Sequence, residues 1–381
     1  MKYKYINFMI KDINLLSISH SFVKKINLKL YSILNKFDKT NVHIIIPNYH
    51  KEDGKTLKPD FNIQDIELNI YLKNTIFNHL RLKFYRNLLP EIKKNNITHL
   101  ILDQDLISLQ SIIVLIYSYV NNVKIFYFSN ENSIIDEKNL LKKNVKKLLY
   151  KLIYFLFKKK INKIFCYSNQ IKNNLDDCGL TKITQVIPLG YDDSIFYKTN
   201  SKINNSKFVI SYFGRVSRQK GIKTLIKSLT QLNIENWEFQ IDLFHIESLS
   251  FFSEIKSDLK YLQNLKKLKI IKPTHLDIAK YMQRTNLTIV PSEWNEQYGR
   301  VIQESAACGS IVLGSNIGAI PEIIKDKEFI FEPKNTTELV KKIENIFNNY
   351  REYKDKFKKI EKEILEHRTA KKQAELIHTF L

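Results

Sequence analysis

The sequence predicts an α/β protein built on two parallel sheets, and three observations lead there. Short apolar, β-branched runs alternate with helix-length segments along most of the chain, the pattern of strands joined by crossover helices. The alternation runs twice, as two series separated by a polar stretch that holds a Pro and a Gly. The chain has 381 residues, a length that suits two domains at roughly 100–200 residues each.

In the first series the runs at Asn14–Ile18, Val42–Pro47, His99–Leu102, Val123–Phe128, Lys163–Tyr167 and Thr184–Ile187 read as strands. Helical periodicity fills the gaps, for example at Lys24–Lys36 and Ser108–Tyr119. The segment Pro188–Ser206 loses all apolar period and reads as a linker. The second series places strands at Phe208–Phe213, Phe239–Phe244, Leu268–Ile271, Leu287–Val290 and Ser310–Leu313, with a further short run at Phe329–Phe331. From Thr336 onward the pattern is helical and highly charged. Domains over residues 1–195 and 203–365 follow, with the final helix, 366–381, expected to cross back and complete the first. Two such domains imply a cleft with ligands at the carboxyl ends of the strands.

Composition narrows the function classes. Hydrophobic residues at 44% and 43 Phe and Tyr argue for packed cores and against disorder. No apolar run approaches the roughly 20 residues of a membrane-spanning helix, and Lys11 and Asp12 interrupt the opening stretch where a secretory signal would be apolar. Cys166, Cys178 and Cys308 are too few and too scattered for a disulfide framework or a zinc site, so a reduced, cytoplasmic setting is expected. The net charge is +22, of which residues 1–190 carry +15 (30 basic, 15 acidic). Such a field attracts phosphates, nucleic acid or an anionic membrane, although a Lys-, Asn- and Ile-rich composition also accounts for part of it.

Glycine is the sharper signal. Only nine occur, and six of them, Gly214, Gly221, Gly299, Gly309, Gly314 and Gly318, fall within one window. Glycines kept in a glycine-poor chain mark places where no Cβ fits.

That window holds two segments that carry chemistry. In Pro291-Ser-Glu-Trp-Asn-Glu296-Gln-Tyr-Gly299-Arg-Val-Ile-Gln-Glu304 a strand ends at Pro291 and a helix begins near Gly299. Glu296 precedes the helix and Glu304 lies within it; eight helical steps would separate their Cα atoms by ~12 Å. Paired carboxylates that cleave one glycosidic bond stand only ~5–9.5 Å apart, so these two suit the ends of a long ligand. The helix N-terminus between them suits a phosphate. A nucleotide sugar has that shape. In Phe208-Val-Ile-Ser-Tyr-Phe-Gly214-Arg215-Val-Ser-Arg218-Gln-Lys220-Gly221 a strand leads into a glycine turn with cations, and Arg215 and Lys220 are placed to neutralise a departing diphosphate. Neither a Walker loop nor Gly-x-Gly-x-x-Gly occurs, which weighs against a dinucleotide oxidoreductase.

Together, Phe-Gly-Arg-x(4)-Lys-Gly and Pro-Ser-x(3)-Glu-x-Tyr-Gly-Arg-x(3)-Glu-Ser-Ala-Ala-Cys-Gly resemble the family 4 retaining glycosyltransferases of GT-B fold, two Rossmann-like domains facing a cleft. Val312–Glu322 and Val186–Phe196 extend the resemblance, which is specific over about 186–333 and topological over the first half. It implies a nucleotide-sugar donor on the second domain and an acceptor on the first. Glu296 would hold the donor-sugar hydroxyls with help from the backbone N–H groups of Gln297, Tyr298 and Gly299; Glu304 would take the ribose; Gly214, Arg215 and Lys220 would serve the diphosphate. Arg215, Lys220 and Glu296 would then act in catalysis, and the nucleobase would lie near Ile271–Leu276. The family's frequent His at the end of a first-domain strand is absent from Phe126–Asn132, where Asn130 or Glu131 would substitute. His20, closing the first strand, is a second candidate for the acceptor side or an ordinary loop histidine.

No cofactor and no metal are expected. Asp103-Gln-Asp105 resembles the Asp-x-Asp that chelates manganese in another glycosyltransferase fold, but it lies far in sequence from the donor motifs.

Residues 138–160 form a basic helix. At 100° per residue Leu141, Val145, Leu148, Leu152, Phe155 and Leu156 make one apolar stripe, taken as the core face. Lys143, Lys146, Lys147, Lys151, Tyr154 and Phe157 lie away from it and suggest docking on an anionic membrane, the alternative being a solvated lysine face. Taken together, these readings describe a hexosyltransferase of cell-envelope polysaccharide or lipopolysaccharide synthesis, cytoplasmic and peripheral on the inner membrane face, with a glycan or glycolipid acceptor and no nucleic-acid partner. The alternatives are a nucleotide-sugar epimerase of the same fold, or a basic binding module that would leave Glu296, Glu304, Arg215 and Lys220 without purpose.

Overall fold

The computed structural model describes residues 13–52, 55–77, 82–129, 139–199, 206–274 and 277–381. Asn130 and Glu131, together with parts of the linker and of the loop ending at Leu276, lie outside them. The chain divides into two compact units: one of 1–166, 172–187 and 374–381, the other of 167–171 and 188–373.

The first unit is built on seven parallel strands in the order β5-β2-β1-β6-β7-β8-β9. These are β1 (Ile13–Ile18), β2 (Thr40–Pro47), β5 (Asn69–Lys73), β6 (His99–Asp103), β7 (Lys124–Ser129), β8 (Ile161–Cys166) and β9 (Thr184–Val186); β3 (His50–Glu52) and β4 (Lys55–Leu57) pair separately as a hairpin. Strands of a parallel sheet are covered on both faces and read as continuous apolar runs, which is why six of the seven are visible in the sequence. β5 is the exception. It lies at the sheet edge, half-exposed, and its Asn-Ile-Tyr-Leu-Lys carries too little apolar pattern to announce a strand. The pattern at Lys24–Lys36 forms as a 3₁₀ turn at Lys25–Leu28 followed by a short α-helix, Lys29–Leu34, with no side chain capping either. By contrast the Ser108 hydroxyl caps Leu109–Val120, accepting from the Ser111 N–H at 3.2 Å. The last residues of the chain pack on this unit: the Phe380 ring meets Phe165 at 5.7 Å, and His99 Nε2 lies 2.7 Å from the Leu381 carbonyl.

The second unit has six parallel strands in the order β12-β11-β10-β13-β14-β15. They are β10 (Phe208–Tyr212), β11 (Trp237–Asp242), β12 (Leu268–Ile271), β13 (Leu287–Val290), β14 (Ile311–Ser315) and β15 (Ile330–Phe331). All four residues of β13 are buried, as befits a central strand. The chain winds outward from β10 to β12 and then returns to β13 on the other side of β10. The carboxyl ends of β10 and β13 therefore flank a topological switch point, the edge at which open α/β sheets bind ligands.

The basic helix, Leu140–Phe157, overturns its expected orientation. Tyr150 and Ile153 are buried and Lys146 is only 8% exposed, whereas every residue of the stripe expected in the core is exposed: Leu141, Val145, Leu148, Leu152, Phe155 and Leu156. Of the residues assigned to the membrane patch, Lys146 is buried, Lys147 pairs with Asp177 at 2.8 Å, Tyr154 and Phe157 are half-buried, and only Lys151 is fully on the exposed side, with Lys143 intermediate. The physical reason is polar satisfaction. The packed face carries groups with partners, since the Tyr150 hydroxyl donates to the Asp105 carboxylate and Phe157 meets Tyr119 at 5.7 Å, while the apolar stripe has no hydrogen-bonding side chain to satisfy.

Ile153→Ala should therefore cost about 2 kcal/mol or more in urea unfolding, and Leu148→Ala less than about 0.5 kcal/mol. Equal costs would contradict the observed orientation.

Candidate active site

In the second unit the loops after β10 and β13 are pressed together by glycine. Gly221 adopts φ +66°, and a Cβ on it would lie 1.7 Å from the Pro291 carbonyl oxygen, a contact that no side chain could relieve. The Glu293 N–H donates to the Gln219 carbonyl at 2.8 Å and the Thr224 hydroxyl to Glu293 Oε1 at 2.5 Å, fastening the same two loops. Gly318 holds the far side. At φ +62° its missing Cβ leaves room for the Glu296 backbone, and the Ala319 N–H donates to the Glu296 carbonyl at 2.8 Å.

That clamp fixes Glu296 at the centre. Its Oε2 accepts from Lys220 Nζ at 2.6 Å, the Ser292 hydroxyl at 2.9 Å and the Trp294 indole N–H at 3.1 Å. The Lys220 ammonium also sits 5.3 Å over the Trp294 ring. Lys220 and Glu296, 76 residues apart, are thus brought into one mostly buried ion pair. Ser292 and Trp294 have no role assigned by sequence reasoning. They look like ordinary loop residues until the turn after Pro291 folds both donors back onto the carboxylate. Gly318 was legible only as one of the clustered glycines.

The other assigned residues of this unit lie on the same two loops and on the helix that follows β13. Gly214, at φ +145°, starts the β10 loop; Arg215 follows it, exposed, its carbonyl accepting from the Tyr212 hydroxyl at 2.6 Å. Arg218, the other cation of the loop, is turned away onto Glu254 and Glu247 and lies over the Phe251 ring. Gly299, at φ +76°, caps the helix Arg300–Ala307, so the expected start of that helix is where the structure has it. Tyr298 contributes no side chain to a ligand: its hydroxyl donates to Gln303 Oε1 and accepts from Arg368, buried, leaving only its backbone N–H as a candidate donor, like that of Gln297.

Glu304 is 5% exposed on that helix. Burial pushes its carboxyl up to about 7, and the Arg300 guanidinium, 3.8 Å away on the preceding turn, offsets this in part. A buried carboxyl that changes charge near neutrality suits an acceptor or donor for neutral hydroxyls.

In the first unit, His20 begins a 3₁₀ turn just after β1, its ring 4.5 Å from that of His50. Asp103 and Asp105 do not face a common point: Asp103 accepts from the Ser19 hydroxyl at 2.6 Å, and Asp105 from Tyr150.

Residues 193–364 match the family model described as glycosyl transferases group 1. This stretch encloses every residue that the sequence motifs assign to the donor site. Among curated relatives, a glycosyltransferase of Methanocaldococcus jannaschii is 28% identical over 190 residues, 49% of this chain and 50% of that one. The capsular polysaccharide biosynthesis glycosyltransferase CapM of Staphylococcus aureus is 27% identical over 202 residues, 49% and 52% of the two chains. The chain thus spans about half the length of the curated relatives it matches. Solved structures extend the likeness to nearly the whole chain. A glycosyltransferase from Rickettsia africae superposes with a TM-score of 0.74 at 16% identity, covering 97% of this chain and 98% of that one. HepE of Anabaena, solved in complex with UDP, gives 0.73 at 16%, covering 96% and 98%. The fold is that of the GT-B-like glycosyltransferases, two parallel-sheet α/β units.

Two outcomes test this geometry. Gly221→Ala should destabilise the second unit by about 2 kcal/mol or more, because both φ and the Pro291 carbonyl oppose a Cβ. For Glu304, the folded state retains a proton that the unfolded chain releases near 4.5, so stability falls as pH rises from about 4.5 to about 7. Glu304→Gln removes that slope, and its stability relative to the parent, followed by thermal melts, should rise across that window and plateau above it.

Proposed function

We propose that the chain transfers a hexose-like sugar from a nucleotide-sugar donor to a glycan or lipid-linked acceptor, with retention of anomeric configuration. The observation that carries the reading is the Lys220–Glu296 pair at the carboxyl edge of β10 and β13, beside a glycine-capped helix. A sugar hydroxyl that donates to the second oxygen of Glu296 would be held by a carboxylate already oriented by Ser292 and Trp294. The diphosphate would then meet Lys220, the exposed Arg215 and the N–H groups at the start of Arg300–Ala307, and the nucleoside hydroxyls would reach Glu304.

Chemistry follows from that placement. As the bond from the anomeric carbon to the diphosphate breaks, charge grows on the leaving oxygen, and fixed cations and helix amides stabilise it without reorganising. The acceptor hydroxyl attacks from the same face, and its proton passes to the departing phosphate. Lys220 gains a second task here. It neutralises Glu296 while the site is empty and must share its charge once a diphosphate arrives. Acceptor recognition is assigned to the first unit, where His20 is a candidate contact. Asn130 and Glu131 remain candidates on sequence grounds alone. No metal is required by this scheme. Support for a nucleotide-sugar donor comes from HepE, which has been solved with UDP-glucose, and support for an envelope glycan as product comes from CapM, a capsular polysaccharide glycosyltransferase.

Thermal-shift titration with UDP, GDP, ADP and CMP should give stabilisation by one of them, identifying the base; no shift with any would remove the donor assignment. With a competent donor and acceptor, Arg215→Ala and Lys220→Ala should each lower turnover about 10²–10³-fold, and EDTA should leave it unchanged. Turnover of donor with no acceptor present would instead favour an epimerase.

A further inference from the structure

The inverted helix Leu140–Phe157 leaves an apolar surface exposed among the described residues. Leu148 and Phe155 are 65% and 68% exposed, and Leu140, Leu141, Val145, Leu149, Leu152 and Leu156 are exposed beside them. At 100° per residue the six residues from Leu141 to Leu156 named as one stripe span only about 100° of arc. Ile116, Tyr119 and Val120, at the end of the helix Leu109–Val120, are exposed as well. They continue the surface, because the Tyr119 hydroxyl donates to the Leu156 carbonyl at 2.6 Å. Single exposed apolar side chains need no explanation; a continuous stripe along five turns of helix does.

Charge identifies what covers it. The helix holds five lysines and no acid between Leu140 and Phe157. Lys142 borders the stripe on one side, Lys151 and Lys158 border it on the other, and all three are exposed. Lys158 lies 5.3 Å over the Phe155 ring, and Lys160 lies 5.5 Å over that of Tyr119. A second copy of the chain docked here would set lysine rows against lysine rows. An anionic lipid surface would neutralise them while its acyl boundary took the leucines. Among the described residues no helix is long and apolar enough to cross a membrane, so the geometry is that of a helix lying along one.

We propose that this surface, Leu141 to Leu156 extended by Ile116, Tyr119 and Val120, inserts into the headgroup boundary of an anionic membrane, with Lys142, Lys151 and Lys158 on the phosphates. The inserting face is thus the aliphatic stripe, and the Lys146–Tyr150–Ile153 face is the one that holds the helix on the domain. The inference stands on exposure and charge and is independent of the glycosyl transfer proposed above.

The test uses the full chain and vesicles of phosphatidylcholine with or without about a third phosphatidylglycerol. The parent should cosediment with the anionic vesicles and be released by salt. The triple variant Leu148→Gln, Leu152→Gln, Phe155→Gln should bind more than about tenfold more weakly with an unchanged melting temperature, since the three side chains are already in water. Lys142→Glu, Lys151→Glu, Lys158→Glu should lose binding too. Phe155→Trp should show a blue-shifted emission on anionic vesicles only. A parent that stays in the supernatant, a glutamine variant that sediments like the parent, or a dimer in light scattering that the glutamine variant converts to monomer would each overturn the proposal.

Discussion

The geometry of the second unit depends on one ion pair. Lys220 comes from the loop after β10 and Glu296 from the loop after β13, and they meet at 2.6 Å because the two strands are neighbours at the point where strand order reverses. A mostly buried pair of this kind gains from its attraction only when other hydrogen bonds complete its shell. Ser292 and Trp294 supply them. The pair therefore does more than hold two loops: with its two further donors it orients a carboxylate before any ligand arrives.

Glycine makes that meeting sterically feasible. Gly221 against the Pro291 carbonyl and Gly318 against the Glu296 backbone are two places where chain passes chain at a distance a Cβ would forbid. Both also take positive φ, where a side chain would be strained. The two glutamates differ in environment: Glu296 is ion-paired, whereas Glu304 is buried and holds its proton to near neutrality. A helix N-terminus lies between them in the chain.

The first unit divides its labour differently. Its helix Leu140–Phe157 has two apolar faces, and the fold uses the one that brings hydrogen-bonding and aromatic partners, Tyr150 with Asp105 and Phe157 with Tyr119. The other face, of leucines, Val145 and Phe155, is left exposed. A soluble protein that exposed this stripe to water alone would carry an aggregation liability, so the lysines along its borders are informative as a set.

Much was legible in sequence because the causes are local. Strand runs buried on both faces, the glycine turn at Gly214–Gly221, the break at Pro291 and the helix start at Gly299 each follow from the short-range preferences of a few neighbouring residues. β5 escaped notice because an exposed edge strand needs no apolar pattern. What tertiary structure alone decided were matters of partner. Periodicity finds both stripes of the basic helix but cannot tell which one meets a neighbour, because that depends on Asp105 and Tyr119, tens of residues away. Likewise the sequence puts Arg215, Arg218 and Lys220 in one loop without showing what each of them meets. Only the folded chain sends Arg218 to Glu254, delivers Lys220 to Glu296 and leaves Arg215 exposed. Short-range preference determines elements; long-range packing and the need to satisfy each buried charge determine which side chains meet.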